Sequence, residues 1–205
     1  MNIALFGGTF DPIHIGHLAV ARAAVASFYL DEVQFVVTEL PPHKSAQDLL
    51  PFHHRFAMVE LALEGERKFL ASRIEQRDEA AEALPSYSID TVRRVKKGLS
   101  HKDNLFFIVG MDSFLNLKNW RDPQGLLAEC EFIVVTRPGH ELADIKSALP
   151  DPALSSKVHL LDSVAVNVSS TEIRKMVAQS RSIQDLVPPA VANYIHEHGI
   201  YRKGM

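Results

Sequence analysis

Short apolar runs alternate with stretches of helical spacing along most of the chain. Runs rich in β-branched and aromatic residues predict strands over Asn2 to Phe6, Val33 to Thr38, Phe69 to Ile74, Leu105 to Val109, Phe132 to Thr136 and Val158 to Leu161. Helical periodicity between these runs predicts helices over His17 to Tyr29, Phe52 to Leu63, Ile89 to Lys97 and Leu142 to Leu149. This alternation favours an α/β fold in which helices cover a parallel sheet.

The fourth and fifth runs carry a further signal. Leu105 to Val109 and Phe132 to Val135 are apolar without period-two alternation, which is typical of central strands that are covered on both faces. After the last strand the pattern becomes helical only, over Ser169 to Ala178 and Pro188 to His198. No turn-rich stretch resembles a long linker, so we predict one domain whose C-terminal helices pack against the sheet.

The bulk composition narrows the class of protein. The chain has 205 residues and a formal net charge of −3, whereas proteins that coat nucleic acid carry a broad basic excess. No stretch approaches the ~20 consecutive apolar residues of a membrane-spanning helix. The one cysteine, Cys130, cannot form an internal disulfide, and the start MNIALFGGTF lacks the features of a secretion signal. These features predict a cytoplasmic protein without nucleic-acid or membrane partners, and they predict no particular oligomeric state.

The first strand leads directly into a segment suited to binding an anion. Gly7 and Gly8 allow close approach of a phosphate to the backbone, and the helix that follows adds partial positive charge at its N-terminus. His14 and His17 are three residues apart, which places both imidazoles on one face of a helical turn. The alternative is a tight Gly-Gly turn with histidines that cap the helix or face solvent. A zinc site fits poorly, because no cysteine or third ligand is near.

The eleven residues GGTFDPIHIGH resemble the signature of the HxGH nucleotidyltransferases. Four further segments resemble the nicotinate-nucleotide adenylyltransferases of that superfamily: PPHK at 41–44, PSYSIDT at 85–91, GMDSFLNLKNW at 110–120 and VSSTEIR at 168–174. The related phosphopantetheine adenylyltransferases share the first motif but typically lack the segment that ends in Trp120, and they are the nearest alternative. A regulatory protein that binds nucleotide without turnover is the alternative from another class.

This resemblance implies a Rossmann-like, doubly wound parallel sheet over residues 1–165. A small C-terminal helical part over residues 166–205 then carries the SSTxIR motif. The implied reaction transfers AMP from ATP to nicotinate mononucleotide. Its products are deamido-NAD, an intermediate of NAD biosynthesis, and pyrophosphate. Mg²⁺ is expected to accompany ATP through the phosphates, without protein ligands.

The resemblance also assigns roles in binding ATP. The side chains implied to orient the phosphates and to stabilise their charge are His14, His17, Lys44 and Arg174. The residues implied to bind ATP are Gly7, Gly8, Thr9, Phe10, His14, His17, Gly110, Asp112, Arg137, Ser169, Ser170, Thr171 and Arg174. Ser169 or Ser170 could instead cap a helix together with Glu172, and Arg137 could serve as a turn contact.

A second set of residues is implied to bind nicotinate mononucleotide. It comprises Lys44, Ser88, Asp112, Trp120 and Arg121. The resemblance has Trp120 stacking on the pyridine ring, with backbone amides at Ser88 and Arg121 binding the ring carboxylate. Amide donors favour a carboxylate over a carboxamide, which would also need an acceptor on the protein. The alternatives are a core anchor for Trp120 and a helix cap for Asp112.

Overall fold

The strands that the structure describes form one parallel sheet. A computed structural model of the chain describes residues 1–42, 45–77, 84–136, 149, 152–162 and 168–202. The strands within these residues are β1 Asn2–Gly8, β2 Glu32–Val37, β3 Phe69–Ser72, β4 Asn104–Gly110, β5 Glu131–Val135 and β6 Val158–Leu161. Their order across the sheet is β3-β2-β1-β4-β5-β6, and every neighbouring pair is parallel. The predicted strands and their parallel arrangement are confirmed.

Helices connect the strands and follow the last of them. Within the described residues they are α1 Ile15–Phe28, α2 Phe52–Leu63, α3 Ser88–Lys96, α4 Met111–Leu115, α5 Pro123–Glu129, α6 Ser170–Ala178 and α7 Pro189–Glu197. The short helices α4 and α5 were not predicted, because a helix of one or two turns carries little periodicity. The helix predicted over residues 142–149 falls almost wholly outside the described residues. None of the helices described is long and apolar enough to cross a membrane.

Alternating residues of the central strands divide the core into two layers. Ala4 and Phe6 of β1 face the layer that α1 and α2 cover, whereas Ile3 and Leu5 face the layer under α3 to α5. The C-terminal helices belong to the first layer, where Ile173 of α6 is buried with β1 and α2. The predicted packing of the C-terminal helices against the sheet is therefore confirmed.

The strand order creates a crevice beside β1. From β1 the chain moves to β2 and β3 on one side, and it then returns to β4, β5 and β6 on the other. In open α/β sheets, ligands bind outside the carboxyl ends of the strands where this direction reverses. The ends of β1 and β4, at Gly8 and Gly110, meet at that point.

Candidate active site

The loop that follows β1 begins later than the sequence predicted. Gly7 and Gly8 are the last two residues of β1 and pair with Val36 and Val37, so the strand continues two residues beyond its predicted end at Phe6 and the alternative of a tight Gly-Gly turn is wrong. Gly8 is needed for another reason. A Cβ atom there would lie 3.1 Å from the ring of Phe10, which folds back over the end of the strand. The missing side chain thus lets the loop lie close against β1.

The two histidines of the loop lie face to face at the start of α1. His14 is the residue before the helix, and its ring centroid is 3.7 Å from that of His17, with the planes 26° apart. The backbone amide of His14 donates to Nδ1 of His17 at 3.2 Å. Phe6 and Phe10 contact the His17 ring in T-shaped geometry. Because Nδ1 accepts a hydrogen bond, the proton of neutral His17 is on Nε2, which therefore stays available as a donor.

Burial keeps both imidazoles uncharged at neutral pH. It lowers the pKa of His14 from 6.5 to about 4. Burial first and the neighbouring His14 second lower the pKa of His17 well below 6.5. Nδ1 of His14 is buried without a hydrogen-bond partner among the residues described. A phosphate placed beside the pair would raise both pKa values, because it favours the charged form.

The lowered pKa of His14 makes the stability of the ligand-free protein depend on pH. The unfolded chain protonates this histidine near 6.5 and the folded chain near 4, so stability falls as the pH drops between these values. The full effect is about 3 kcal/mol. We expect urea unfolding to show a smaller loss over this range for His14→Gln than for the unchanged protein. Carboxylates titrate over the same range in both proteins, so the informative quantity is the difference in pH dependence between the two proteins. Equal dependence of the free energy of unfolding on pH would contradict a lowered pKa of His14.

The SSTEIR segment is bound to the same loop through its side chains. Ser169 precedes α6 and caps it, because its side chain accepts a hydrogen bond from the backbone amide of Glu172 at 3.2 Å. The ATP contact of this serine stays a prediction. Ser170 Oγ donates to the carbonyl of Pro12 at 2.9 Å. Arg174 Nη1 donates to the carbonyl of Asp11 at 2.6 Å. Helix α6 thereby brings Arg174 to the loop that carries the histidines.

A cavity of about 840 Å³ opens beside the ends of β1 and β4. The predicted nucleotide-binding residues that line it are Gly7, Gly8, Thr9, Ser88, Gly110, Asp112, Trp120 and Arg121. The other described predictions gather instead around the loop after Thr9 and the start of α6, and they are Phe10, His14, His17, Ser169, Ser170, Thr171 and Arg174. The predicted site therefore has two parts. One is the cavity, and the other is the histidine loop, residues 9–14, with the start of α1 that follows it and the start of α6 that is bound to it.

Trp120 forms part of the cavity wall. Its indole is half-buried and meets Phe107 of β4 in T-shaped geometry, with centroids 6.1 Å apart. The prediction that Trp120 lies in a cleft is confirmed, and the indole can offer a face to a flat ring. Asp112 also lines the cavity. The N-cap of α4 is Gly110, so the helix-cap alternative for Asp112 is wrong.

Another part of the wall is the start of α3. Tyr87 is the residue before the helix and Ser88 is the first residue within it, and none of the described side chains caps this end. The first amides of a helix have no partner within the helix, so they are free to bind an anion. Both residues line the cavity, as the predicted role of the Ser88 amide requires.

Two predicted site residues, Lys44 and Arg137, lie outside the described residues. Their roles stay predictions. In the part of the chain that the structure describes, no three histidine, cysteine, aspartate or glutamate side chains come together in a way that could hold a metal ion.

Arg55 of α2 was not among the predicted site residues, and its side chain is buried, with the residue only 1% exposed. Its guanidinium group donates hydrogen bonds to four backbone carbonyls, those of Leu50 at 2.7 Å, Thr9 at 2.9 Å, Thr38 at 2.7 Å and Glu39 at 3.1 Å. Arg55 therefore joins the loop after β1 to the loop after β2 and to the segment before α2. The available signal was a charged residue on the apolar face of α2.

Tyr201 near the C-terminus is a second residue of the site that was not predicted. Its hydroxyl donates to Oδ1 of Asp11 at 2.5 Å, and Asp11 is itself buried. Burial first and Asp11 second raise the pKa of Tyr201, so its hydroxyl stays protonated. This hydrogen bond attaches the C-terminal segment to the histidine loop. No local pattern in the sequence predicts the contact.

Comparisons with known proteins agree on one family. Residues 5–176 match the cytidylyltransferase-like family. A probable nicotinate-nucleotide adenylyltransferase of Symbiobacterium thermophilum is 40% identical over 99% of this chain and 96% of its own length. One of Pelobacter propionicus is 42% identical over 98% of each. The structure of a Plasmodium falciparum nicotinic acid mononucleotide adenylyltransferase complexed with NaAD has the same fold, with a TM-score of 0.75 and 23% identity over 98% of this chain and 97% of that one.

Proposed function

Because this chain belongs to the nicotinate-nucleotide adenylyltransferases of the cytidylyltransferase-like family, we propose that it transfers AMP from ATP to nicotinate mononucleotide. The products are deamido-NAD and pyrophosphate, which places the reaction in NAD biosynthesis. The observation that carries the proposal is the cavity, which joins the glycine-rich end of β1 to Trp120. One end suits a phosphate and the other a flat aromatic ring. The single cysteine of the chain, Cys130, is typical of a protein of the reducing cytoplasm, where we propose that the enzyme acts.

The chemistry needs orientation more than it needs a base. The second pKa of a phosphate monoester is about 6, so the acceptor phosphate is largely dianionic at neutral pH and attacks the α-phosphorus of ATP without losing a proton. No covalent intermediate on the enzyme is required. The barrier lies in aligning two polyanions and in stabilising the charge that develops on the transferred and leaving phosphates.

The cluster around the histidine loop supplies this stabilisation. Nε2 of His17 is a donor held in place by the hydrogen bond at Nδ1 and by the stacked ring of His14. Arg174 contributes a permanent positive charge beside the same loop. Donors that are already oriented need no rearrangement as the reaction proceeds. Lys44 is assigned a similar phosphate contact from the sequence motif alone.

Mg²⁺ is proposed to enter with ATP. Mg²⁺ commonly keeps several of its waters and binds through substrate phosphates, not in a cage of protein side chains. The ion would neutralise phosphate charge, so no protein ligand is assigned to it.

Release of pyrophosphate tests the proposal directly. The protein is supplied with ATP and Mg²⁺ and with nicotinate mononucleotide, nicotinamide mononucleotide or phosphopantetheine at equal concentrations. We expect strong preference for nicotinate mononucleotide. Preference for phosphopantetheine would assign the chain to the related enzymes instead. Nucleotide binding without pyrophosphate release from any acceptor would support the regulatory alternative.

Replacing Trp120 by alanine is expected to weaken binding of the acceptor and not of ATP. Stacking of a heteroaromatic ring on an aromatic side chain contributes about 1–3 kcal/mol, so the KM for nicotinate mononucleotide should rise roughly tenfold or more. The KM for ATP should stay within about twofold in the same initial-rate measurements. Trp120→Phe keeps a ring and is the matched control, with a smaller rise. An equal rise in both KM values for Trp120→Ala would show that the indole supports the whole site instead.

A further inference from the structure

The charge on the wall of the cavity is unevenly distributed. Among the lining residues that the structure describes, the charged side chains are Glu75, Asp112 and Arg121. Two are acids, although burial raises the pKa of Glu75 and so favours its neutral form. The proposed acceptor carries negative charge on its phosphate and on its ring carboxylate. Arg121 is therefore the one described lining side chain whose charge attracts the acceptor.

The guanidinium group of Arg121 is held beside the start of α3. It lies over the ring of Tyr87, with 4.8 Å between the guanidinium carbon and the ring centroid. Its Nη1 is 3.5 Å from Oδ2 of Asp90, in the first turn of the helix. The Ser88 amide is at this end of α3 as well. Trp120 and Arg121 line the same cavity, so a ring stacked on Trp120 would share that cavity with the guanidinium group.

The ion pair between Asp90 and Arg121 is weak enough for a ligand to replace Asp90. The two side chains are 43% and 59% exposed, and an ion pair at this distance and exposure is weak. A carboxylate that accepts two guanidinium hydrogen bonds in a partly enclosed cavity makes a stronger contact. An anionic ligand can therefore displace Asp90, whereas a neutral carboxamide offers no charge with which to do so.

We propose that Asp90 and Arg121 form an exchangeable charge pair that sets the preference for a nicotinate over a nicotinamide acceptor. The inference rests on the proposed function and adds two side chains to it, since the sequence implied only a backbone contact at Arg121. Arg121 attracts the ring carboxylate. Asp90 competes for the same guanidinium group and so limits this attraction.

The two residues are expected to act in opposite directions. The measured quantity is the ratio of kcat/KM for nicotinate mononucleotide to kcat/KM for nicotinamide mononucleotide. Arg121→Met, which keeps the aliphatic stem, should lower this ratio about five- to tenfold, and Arg121→Lys should restore part of it. Asp90→Asn should raise the ratio about two- to fivefold, because it frees the guanidinium group. Added salt should lower the ratio in the unchanged protein more than in Arg121→Met.

Lys96→Met is the matched control, because it removes an ion-paired cation too, in this case one on the exposed face of α3. Lys96 pairs with Glu129 and does not line the cavity, so the ratio should change by less than about twofold. Equal ratios in the unchanged protein and in both the Asp90 and Arg121 variants would overturn the charge pair. A rise in the ratio for Arg121→Met would overturn it too. Failure of the unchanged protein to turn over either acceptor would instead overturn the proposed function.

Discussion

Replacing His17 by alanine is expected to lower kcat by about 10²-fold or more while the protein stays folded. The imidazole is held between His14 and Phe10, and its Nδ1 accepts a hydrogen bond from the His14 amide. Alanine removes the oriented Nε2 donor, and nothing else in the substitution supplies one. The KM values should change less than kcat, because a donor aimed at developing charge acts mainly in the transition state.

Two further variants show whether the donor itself is responsible. His17→Gln keeps a side chain that can donate from a similar position, so it should retain more activity than alanine. His159→Ala is the control. His159 lies on the edge strand β6 and forms a hydrogen bond with Glu131 of β5, so kcat should not change. Single-turnover rates and far-ultraviolet circular dichroism would be measured together. A folded His17→Ala protein within about threefold of normal kcat would contradict the assigned role.

Replacing Arg55 by methionine is expected to reduce the free energy of unfolding by about 3 kcal/mol. The substitution leaves partly buried backbone carbonyls without their donors at Thr9, Thr38 and Glu39, and polar groups that are shielded from water and unsatisfied are costly. The loops after β1 and β2 also lose the group that joins them. Urea unfolding gives the stability, and the KM for ATP reports the order of the histidine loop.

Arg73→Met is the control for this prediction. The guanidinium group of Arg73 lies over the ring of Phe56, which is on α2 like Arg55. The Arg73 side chain is 53% exposed, so its loss should lower the free energy of unfolding by less than about 1 kcal/mol. Arg55→Lys keeps the charge, yet one ammonium group cannot reach all four carbonyls in the directions that a guanidinium group does. It should therefore remain well below normal stability. A loss of less than about 1 kcal/mol for Arg55→Met would show that the loops hold without this group.

The candidate site was predictable to the extent that its residues follow strand ends. Gly8 and Gly110 close two apolar runs, and the carboxyl ends of neighbouring parallel strands must meet at one edge of a sheet. The histidine spacing predicted that the two rings share a face, and they stack at 3.7 Å. Strand β1 was predicted to end at Phe6, but it continues to Gly8. Two adjacent glycines usually indicate a turn, and the sequence alone does not distinguish this case from a strand that continues through them.

Local periodicity in the sequence alone specified the six strands, the longer helices within the described residues and the central position of β4 and β5. Only the tertiary structure decided which residues from distant parts of the sequence are in contact. Tyr201 and Asp11 are 190 residues apart in sequence, and the carbonyls that Arg55 binds come from separate segments. Asp90 and Arg121 likewise meet only because α3 packs beside the segment that carries Trp120. Periodicity reports which face of an element is apolar, whereas contacts of this kind depend on the order of the strands and on the path of the loops.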